Sequence, residues 1–259
     1  MDVRQGPVSD LDPQMLLQAY AGGIFPMAES RTSDELFWVE PRSRAVLPMG
    51  GFHCSRSLAR RLRSGCFKVT ANRDFGGVIT GCADRPETWI NGQIERAMHQ
   101  LQAVGHAHSV EVWEGTELVG GIYGVALGVA FFGESMFSRR TDSSKVALAW
   151  MIARLKVAGF TLFDCQFMTD HLASLGAVSV PRKRYVALLG AAVGTSTSGS
   201  GGGEAGVPGG ASAPVPGLGA NRVGAPEFGR LDRLLEAEGL ADDSAASGKF
   251  ITQLLGQTS

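Results

Sequence analysis

The chain reads as an α+β domain with helices packed on a mixed sheet, and three observations carry that reading. A polar turn, Glu114-Gly115-Thr116-Glu117, joins two apolar, alternating runs and marks a β-hairpin. A further strand then gives way to an apolar-periodic stretch from Ser143 to Ala158, so the chain passes from sheet to helix. After Gly159 the short run Leu162-Phe163-Asp164-Cys165-Gln166-Phe167 closes the series as a core strand.

Taken in order, Pro13 to Tyr20 forms a first helix, with Asp12 as N-cap, Pro13 at the first helical position and Gly22-Gly23 as the stop. Ser55 to Leu62 is a short second helix and Phe67 to Thr70 a strand. Asn91 to Val104 is amphipathic, with Ile94, Met98 and Leu101 on one face and Gly105 ending it. Ser109 to Trp113 and Leu118 to Val125 are the hairpin arms, and Val129 to Phe132 is the third strand. Asp142 is expected to cap the helix that starts at Ser143. The Gly120-Gly121 pair reads as turn or close-packing glycines, since no phosphate-binding string surrounds it.

The 259 residues, 44% of them hydrophobic, supply material for one large domain or two small ones. We divide them into a small N-terminal subdomain (1–66), a sheet-bearing domain (67–193), a linker (194–226) and a helical tail (227–259). The linker is almost all Gly, Ala, Ser, Pro and Val, with Glu204 and Arg222 its only charges, so it should be flexible. The tail recovers helical spacing at Phe228, Leu231, Leu234 and Leu235.

A net charge of −1 excludes a globally basic coat, so any RNA contact must be a local patch. Cysteines 54, 66, 82 and 165 form no C-x-x-C pair, which favours a reducing compartment and no zinc site. His106 and His108 share a strand face without a third ligand at a convincing spacing; structural histidines, or one bonded to Glu111, fit better than a metal. The first seven residues have no apolar run and no stretch is long enough to span a bilayer, so the expected location is the cytoplasm.

Two segments carry unusual chemistry. Asp164 and Gln166 point to one face of a buried strand and Cys165 to the other. Burying even a neutral polar group costs roughly 2–7 kcal/mol unless it is satisfied. Such a pair therefore either wires the core or meets a substrate, and we read it as meeting a substrate. Glu134 sits among phenylalanines and a methionine in Phe131-Phe132-Gly133-Glu134-Ser135-Met136-Phe137-Ser138. It either caps a strand end or, within apolar walls, holds an α-ammonium. Phe131, Met136, Leu148, Met151 and Phe163 are candidate walls, though each taken singly is a plain core residue. Cys165 has no obvious base beside it and is set aside as a nucleophile.

Arg56, Arg60, Arg61 and Arg63 crowd one short helix, with 56, 60 and 63 on one face and no acid between Arg42 and Lys68. That is a phosphate-tracking pattern rather than a salt-bridged surface. Trp38 and Trp89 lie in loop-like polar contexts suited to stacking bases.

Together these segments resemble the leucyl/phenylalanyl-tRNA–protein transferase family. The matching strings run in order: Ala19-Tyr20-Ala21-Gly22-Gly23-Ile24-Phe25-Pro26, Phe37-Trp38-Val39-Glu40-Pro41, Arg44-Ala45-Val46-Leu47-Pro48, Thr88-Trp89-Ile90, Gly105-His106-Ala107-His108-Ser109-Val110-Glu111-Val112-Trp113, Gly133-Glu134-Ser135-Met136-Phe137-Ser138, Asp164-Cys165-Gln166 and His171-Leu172-Ala173-Ser174-Leu175-Gly176-Ala177. Each string alone is weak; the ordered set over roughly residues 15 to 188 is specific.

The resemblance implies a GNAT-like catalytic domain over 67–193. The activity it implies moves leucine or phenylalanine, less well methionine, from aminoacyl-tRNA to the α-amine of proteins beginning with Arg or Lys. It marks them for N-degron degradation without a cofactor; a monomer is the default expectation for the chain. By the same resemblance Glu134 holds the α-amino group of the carried residue. Asp164 orients and accepts the proton of the attacking amine, and Gln166 positions it. Ser138 and Ile122, the latter where a methionine is frequent, join the pocket. Trp38 and Trp89 stack the terminal adenosine, and Arg56, Arg60 and Arg61 meet the acceptor stem, with Arg63 of the same basic helix a further tRNA-binding candidate. The linker and tail lie beyond the resemblance. A coenzyme-A acetyltransferase on the same kind of fold would need a Q/R-x-x-G-x-G/A string entering a helix, which Asp142-Ser143-Ser144-Lys145 does not supply. A silent tRNA-binding module would not need the three polar residues kept together.

Overall fold

A computed structural model describes residues 11–194 and 226–256. The expected linker falls almost entirely outside them. In chain order the elements are α1 (Pro13–Ala21), β1 (Phe25–Ala28), β2 (Leu36–Val39), β3 (Ser43–Val46), α2 (Arg56–Arg63), β4 (Lys68–Ala71), α3 (Phe75–Ala83) and α4 (Gly92–Ala103). They continue with β5 (Ala107–Glu114), β6 (Glu117–Leu127), β7 (Ala130–Ser138), α5 (Ser143–Ala158), β8 (Leu162–Gln166), α6 (Asp170–Ser174), β9 (Val178–Pro181), α7 (Arg182–Val193), α8 (Arg230–Ala237) and α9 (Ser244–Gly256).

Local signals set the first elements. Asp12 accepts a hydrogen bond from the Met15 amide at 3.2 Å, and Ser55 caps α2 through the Leu58 amide at 3.2 Å. The hairpin turns on Gly115 at φ +61°, a left-handed conformation that glycine adopts at little cost. Asp142 does not cap α5 as expected. It sits at φ +67° and its carboxylate meets Lys145 at 3.0 Å, while the Ser143 hydroxyl donates to Val119 O at 2.8 Å. The third strand runs on past Phe132 to Ser138, because Gly120 to Leu127 supply a partner along its whole length.

Seven strands form one mixed sheet in the order β4-β5-β6-β7-β8-β3-β9, while β1 and β2 pair separately. Within the sheet β7 and β8 are parallel, joined by α5 as the crossover, and the other neighbours are antiparallel. Ser43–Val46, inside the stretch expected as the small N-terminal subdomain, is a strand of the large sheet between β8 and β9.

One sheet face carries α1, α3, α4, α7 and the small β1–β2 sheet around Tyr20, Ile79, Met98, Phe132 and Leu189. The other carries α2, α5 and the tail helices around Leu62, Phe131, Met151, Phe163 and Ile251. Where α5 crosses, Gly120 allows the approach: a Cβ there would lie 2.6 Å from that of Ser143. The tail packs onto this second layer. Leu231, Leu235, Ile251 and Leu255 are buried, and a Cβ on Gly248 of α9 would lie 1.9 Å from Leu62 O of α2, a contact only glycine permits.

Candidate active site

The pairing of β7 with β8 ends at Phe132 opposite Asp164. Beyond it no ladder pairs the two parallel strands, and Glu134 on one meets Gln166 on the other through a side-chain hydrogen bond. Crevices at the carboxyl ends of parallel strands are where such sheets place ligands.

Glu134 owes its direction to a β-bulge. Tyr123 pairs with Ser135 and Gly124 with Gly133, so Glu134 is the extra residue with no partner opposite. Its Oε1 accepts from the Tyr20 hydroxyl at 2.8 Å and from Gln166 Nε2 at 2.9 Å. Its Oε2 is buried without a hydrogen-bond partner among the described residues. Burial pushes its pKa up to about 7, although the Tyr20 and Gln166 hydrogen bonds oppose the shift. A half-satisfied carboxylate this deep is poised for a donor from outside the chain, and a carboxylate can accept an ammonium N–H strongly.

Asp164 differs. It is fully enclosed (0% exposed), and its oxygens accept from Arg44 Nε at 2.9 and 3.0 Å, the Tyr185 hydroxyl at 2.6 Å and the Gln166 amide at 2.7 Å, with Arg44 Nη2 in ion-pair range at 2.8 Å. Arg44 is itself sealed in, with Nη1 donating to Gly23 O at 3.1 Å and its guanidinium over Phe25 at 4.6 Å and Tyr185 at 4.9 Å. Burial and the neighbouring Asp164 carboxylate raise the Tyr185 pKa, and burial and Glu134 raise that of Tyr20, so both phenols stay protonated and donate. Asp164 is thus held by donors of the chain itself and bonds in turn to Gln166. It bonds to the Gln166 backbone and helps hold that residue at φ +63°, an uncommon conformation for a side-chain-bearing residue. The strand alternation expected for 164, 165 and 166 does hold, with Asp164 bonded into the Tyr20–Tyr185 layer and Cys165 packed against the other.

The six apolar wall candidates, Ile122, Phe131, Met136, Leu148, Met151 and Phe163, gather in one cluster under α5. Glu134 is not embedded among them as its sequence neighbours suggest. Phe131 and Met136 project to the α5 face, while Glu134 projects with Phe132 toward Tyr20 on the other. Ser138 stands apart from Glu134, donating to Arg140 O at 2.9 Å and lying 2.8 Å from the Ser143 hydroxyl in the link to α5.

On α2, Arg56, Arg60 and Arg63 are exposed together and form no ion pair among the described residues; Arg61 lies half-buried over Phe67 at 5.7 Å. Trp38 is on β2, opposite Pro26 of β1, rather than in a loop. Trp89 precedes α4, and its carbonyl accepts from Ala28 at 3.1 Å; both tryptophans are half-buried. The histidines are structural. His106 Nδ1 lies 3.0 Å from Ala126 O, and His108 Nδ1 lies 3.1 Å from Asn72 Nδ2. Glu111 is bonded to Thr70, Ser109 and the Arg73 amide, not to a histidine.

Sequence reasoning missed Tyr20, Arg44 and Tyr185, which hold the two carboxylates. Tyr20 was within reach: it follows Leu16 and Leu17 on the buried stripe of α1, where a phenol must find an acceptor. Arg44 was not, since its burial depends on β3 lying inside the sheet.

The fold is α+β with Glu134 and Gln166 bonded across two neighbouring parallel strands, and comparison with known proteins shows the family. Residues 46–190 match leucyl/phenylalanyl-tRNA protein transferase, and residues 9–42 match the N-terminal domain of the same family. The chain belongs to that family. It is 62% identical over 183 residues (71% of this chain, 86% of the relative) to a leucyl/phenylalanyl-tRNA–protein transferase of Cereibacter sphaeroides. It is 51% identical over 254 residues (96% of this chain, 99% of the relative) to one of Rhizorhabdus wittichii. The tail that lies beyond the recognised motifs is thus largely within the span of the second match. Among solved structures, L-PGS from Bacillus licheniformis aligns at a TM-score of 0.35 with 13% identity over 60% of this chain and 53% of that one, too remote to carry an argument.

Proposed function

We propose that this chain transfers leucine or phenylalanine, and methionine less well, from aminoacyl-tRNA to the N-terminal α-amine of proteins beginning with Arg or Lys. Family membership gives the reaction class. The single observation that carries the site is Glu134: a buried carboxylate with one oxygen tied to Tyr20 and Gln166 and the other left open.

In this reading Glu134 Oε2 accepts from the α-ammonium of the carried amino acid, whose side chain reaches into the Phe131–Met136–Phe163 cluster. Gln166 donates its Nε2 to Glu134, which leaves the amide oxygen to accept an N–H of the attacking amine. The neutral amine adds to the ester carbonyl, the ester C–O bond breaks on collapse, and the departing ribose oxygen takes up the proton that the attacking nitrogen loses. An amide is a poor base, so the rate comes chiefly from placing amine and ester together. Asp164 is a positioning residue that locks Gln166, and Arg44 and Tyr185 lock Asp164. Trp38 and Trp89 are the adenosine-stacking candidates, with Arg56, Arg60 and Arg63 as the outer phosphate contacts. The parallel strands joined by α5 support a GNAT-like reading of the catalytic unit. Marking of substrates for degradation, a monomeric state and cytoplasmic residence belong to the same proposal; among the described residues no helix is long and apolar enough to cross a membrane.

The test is a panel of reporter proteins differing only in the first residue, incubated with leucyl-tRNA and no coenzyme A. Labelling of the Arg and Lys reporters alone is expected. Equal labelling of acidic and neutral N-termini would overturn the acceptor assignment.

A further inference from the structure

Phe228 stands just ahead of α8, outside the 46–190 span of the family match, and is buried in the sheet's second layer. Its ring stacks on His108 at 4.2 Å with 9° between planes, and lies 6.2 Å from Phe131 at 15°. Phe131 is otherwise held by Phe160 at 6.1 Å and Phe163 at 5.7 Å. Two of the three rings around this wall residue come from the sheet domain, and the third comes from the C-terminal extension.

The extension is clamped where it delivers that ring. Arg154 of α5, almost wholly buried, donates to the Phe228 carbonyl at 3.4 Å and to Asp232 at 2.6 Å, and lies over the Phe228 ring at 5.5 Å. The same helix carries Leu148 and Met151, so clamp and pocket wall share one rigid element. Burial lowers the His108 pKa to about 4, which keeps its face neutral against the ring at physiological pH. Interiors are close-packed, so a side chain keeps its place only while its neighbours do.

We propose that Phe228 is a positioning residue that sets the depth of the amino-acid pocket through Phe131, and with it the choice between leucine and phenylalanine. This rests on the proposed function, in which Phe131 is a wall of that pocket. With the Phe228 ring removed, Phe131 can retreat and the pocket deepens, which favours the longer, flat side chain over leucine.

The measurement is kcat/KM of the full chain for leucyl-tRNA and phenylalanyl-tRNA, taken for the parent, Phe228→Ala, Phe228→Leu and Phe131→Leu, with folding checked by thermal melting. A single methylene in an apolar pocket discriminates by about 10–200-fold. We therefore expect the Phe/Leu ratio to rise ~5-fold or more in Phe228→Ala and less in Phe228→Leu, with tRNA affinity unchanged. If Phe228→Ala does not fold, Phe228→Leu is read by the same ratio. Folded Phe228 variants with the parental ratio, beside a shifted ratio in Phe131→Leu, would overturn the inference and leave the pocket assignment standing. A parental ratio in Phe131→Leu as well would overturn both.

Discussion

Glu134 and Asp164 are both buried carboxylates, and their surroundings give them different work. Asp164 is saturated by Arg44, Tyr185 and the Gln166 amide, so removing any one donor leaves an uncompensated group in the interior. Losing one member of a buried ion pair costs about 3–5 kcal/mol, and Arg44→Ala should show that loss in a denaturant titration. A cost under ~1 kcal/mol would mean the pair is not sealed as described. Glu134 is only half satisfied, and burial raises its pKa to about 7. Its folded pKa lies above the ordinary 4.5, so the neutral form suits the fold: the stabilisation is fully present below pH 4.5 and is lost as pH rises through about 7. Function runs the other way, because holding an ammonium needs the carboxylate. We expect kcat/KM for aminoacyl-tRNA to climb with pH through about 7, and Glu134→Gln to abolish that limb while making thermal stability less dependent on pH. A limb that survives in Glu134→Gln belongs to another group, such as the acceptor amine.

At the scale of elements, α2 presents Arg56, Arg60 and Arg63 to solvent without acidic partners among the described residues. Removing one charge that neutralises a phosphate should lower the salt dependence of tRNA binding, changing the log–log slope by ~0.7–0.9. Arg60→Ala should therefore weaken tRNA binding at low salt and leave the rate at saturating tRNA near parental; an unchanged slope would remove α2 from the interface. The Asp12 cap and the hairpin turn at Gly115 were legible in the sequence because each acts within three or four residues, whereas the cap expected at Asp142 is not formed. The bulge at Glu134 was not legible, since it exists only in the register of β7 against β6. Neighbours in sequence put Glu134 with Phe131 and Met136, whereas pairing sends it to the opposite face. The strings single out candidate residues, but what each touches required the sheet. The position of β3 between β8 and β9 was likewise hidden, because a four-residue strand carries too little pattern to reveal its partners.

Across the whole molecule, helices cover both faces of the sheet that holds β7 and β8. The C-terminal extension, legible as helical from Leu231, Leu234 and Leu235, completes the second layer by docking on α2 and α5. Its clamp is Arg154 with Asp232, and charge-assisted hydrogen bonds of this kind are worth about 1.5–3 kcal/mol. Asp232→Ala should lower the melting midpoint by several degrees, at ~2–4 °C per kcal/mol for a chain of this size. No change would mean that the extension contributes little to the fold. The central claim is that aminoacyl transfer occurs where the pairing of the two strands ends, with Glu134 holding the carried amino acid. It is tested most directly by following labelled leucine from leucyl-tRNA onto a protein beginning with arginine, using the parent chain and Glu134→Gln. The account predicts label on the protein with the parent, a rate lower by ~100-fold or more in the folded variant, and tRNA affinity unchanged between them. Full-rate transfer by Glu134→Gln, or none by the parent, would contradict it.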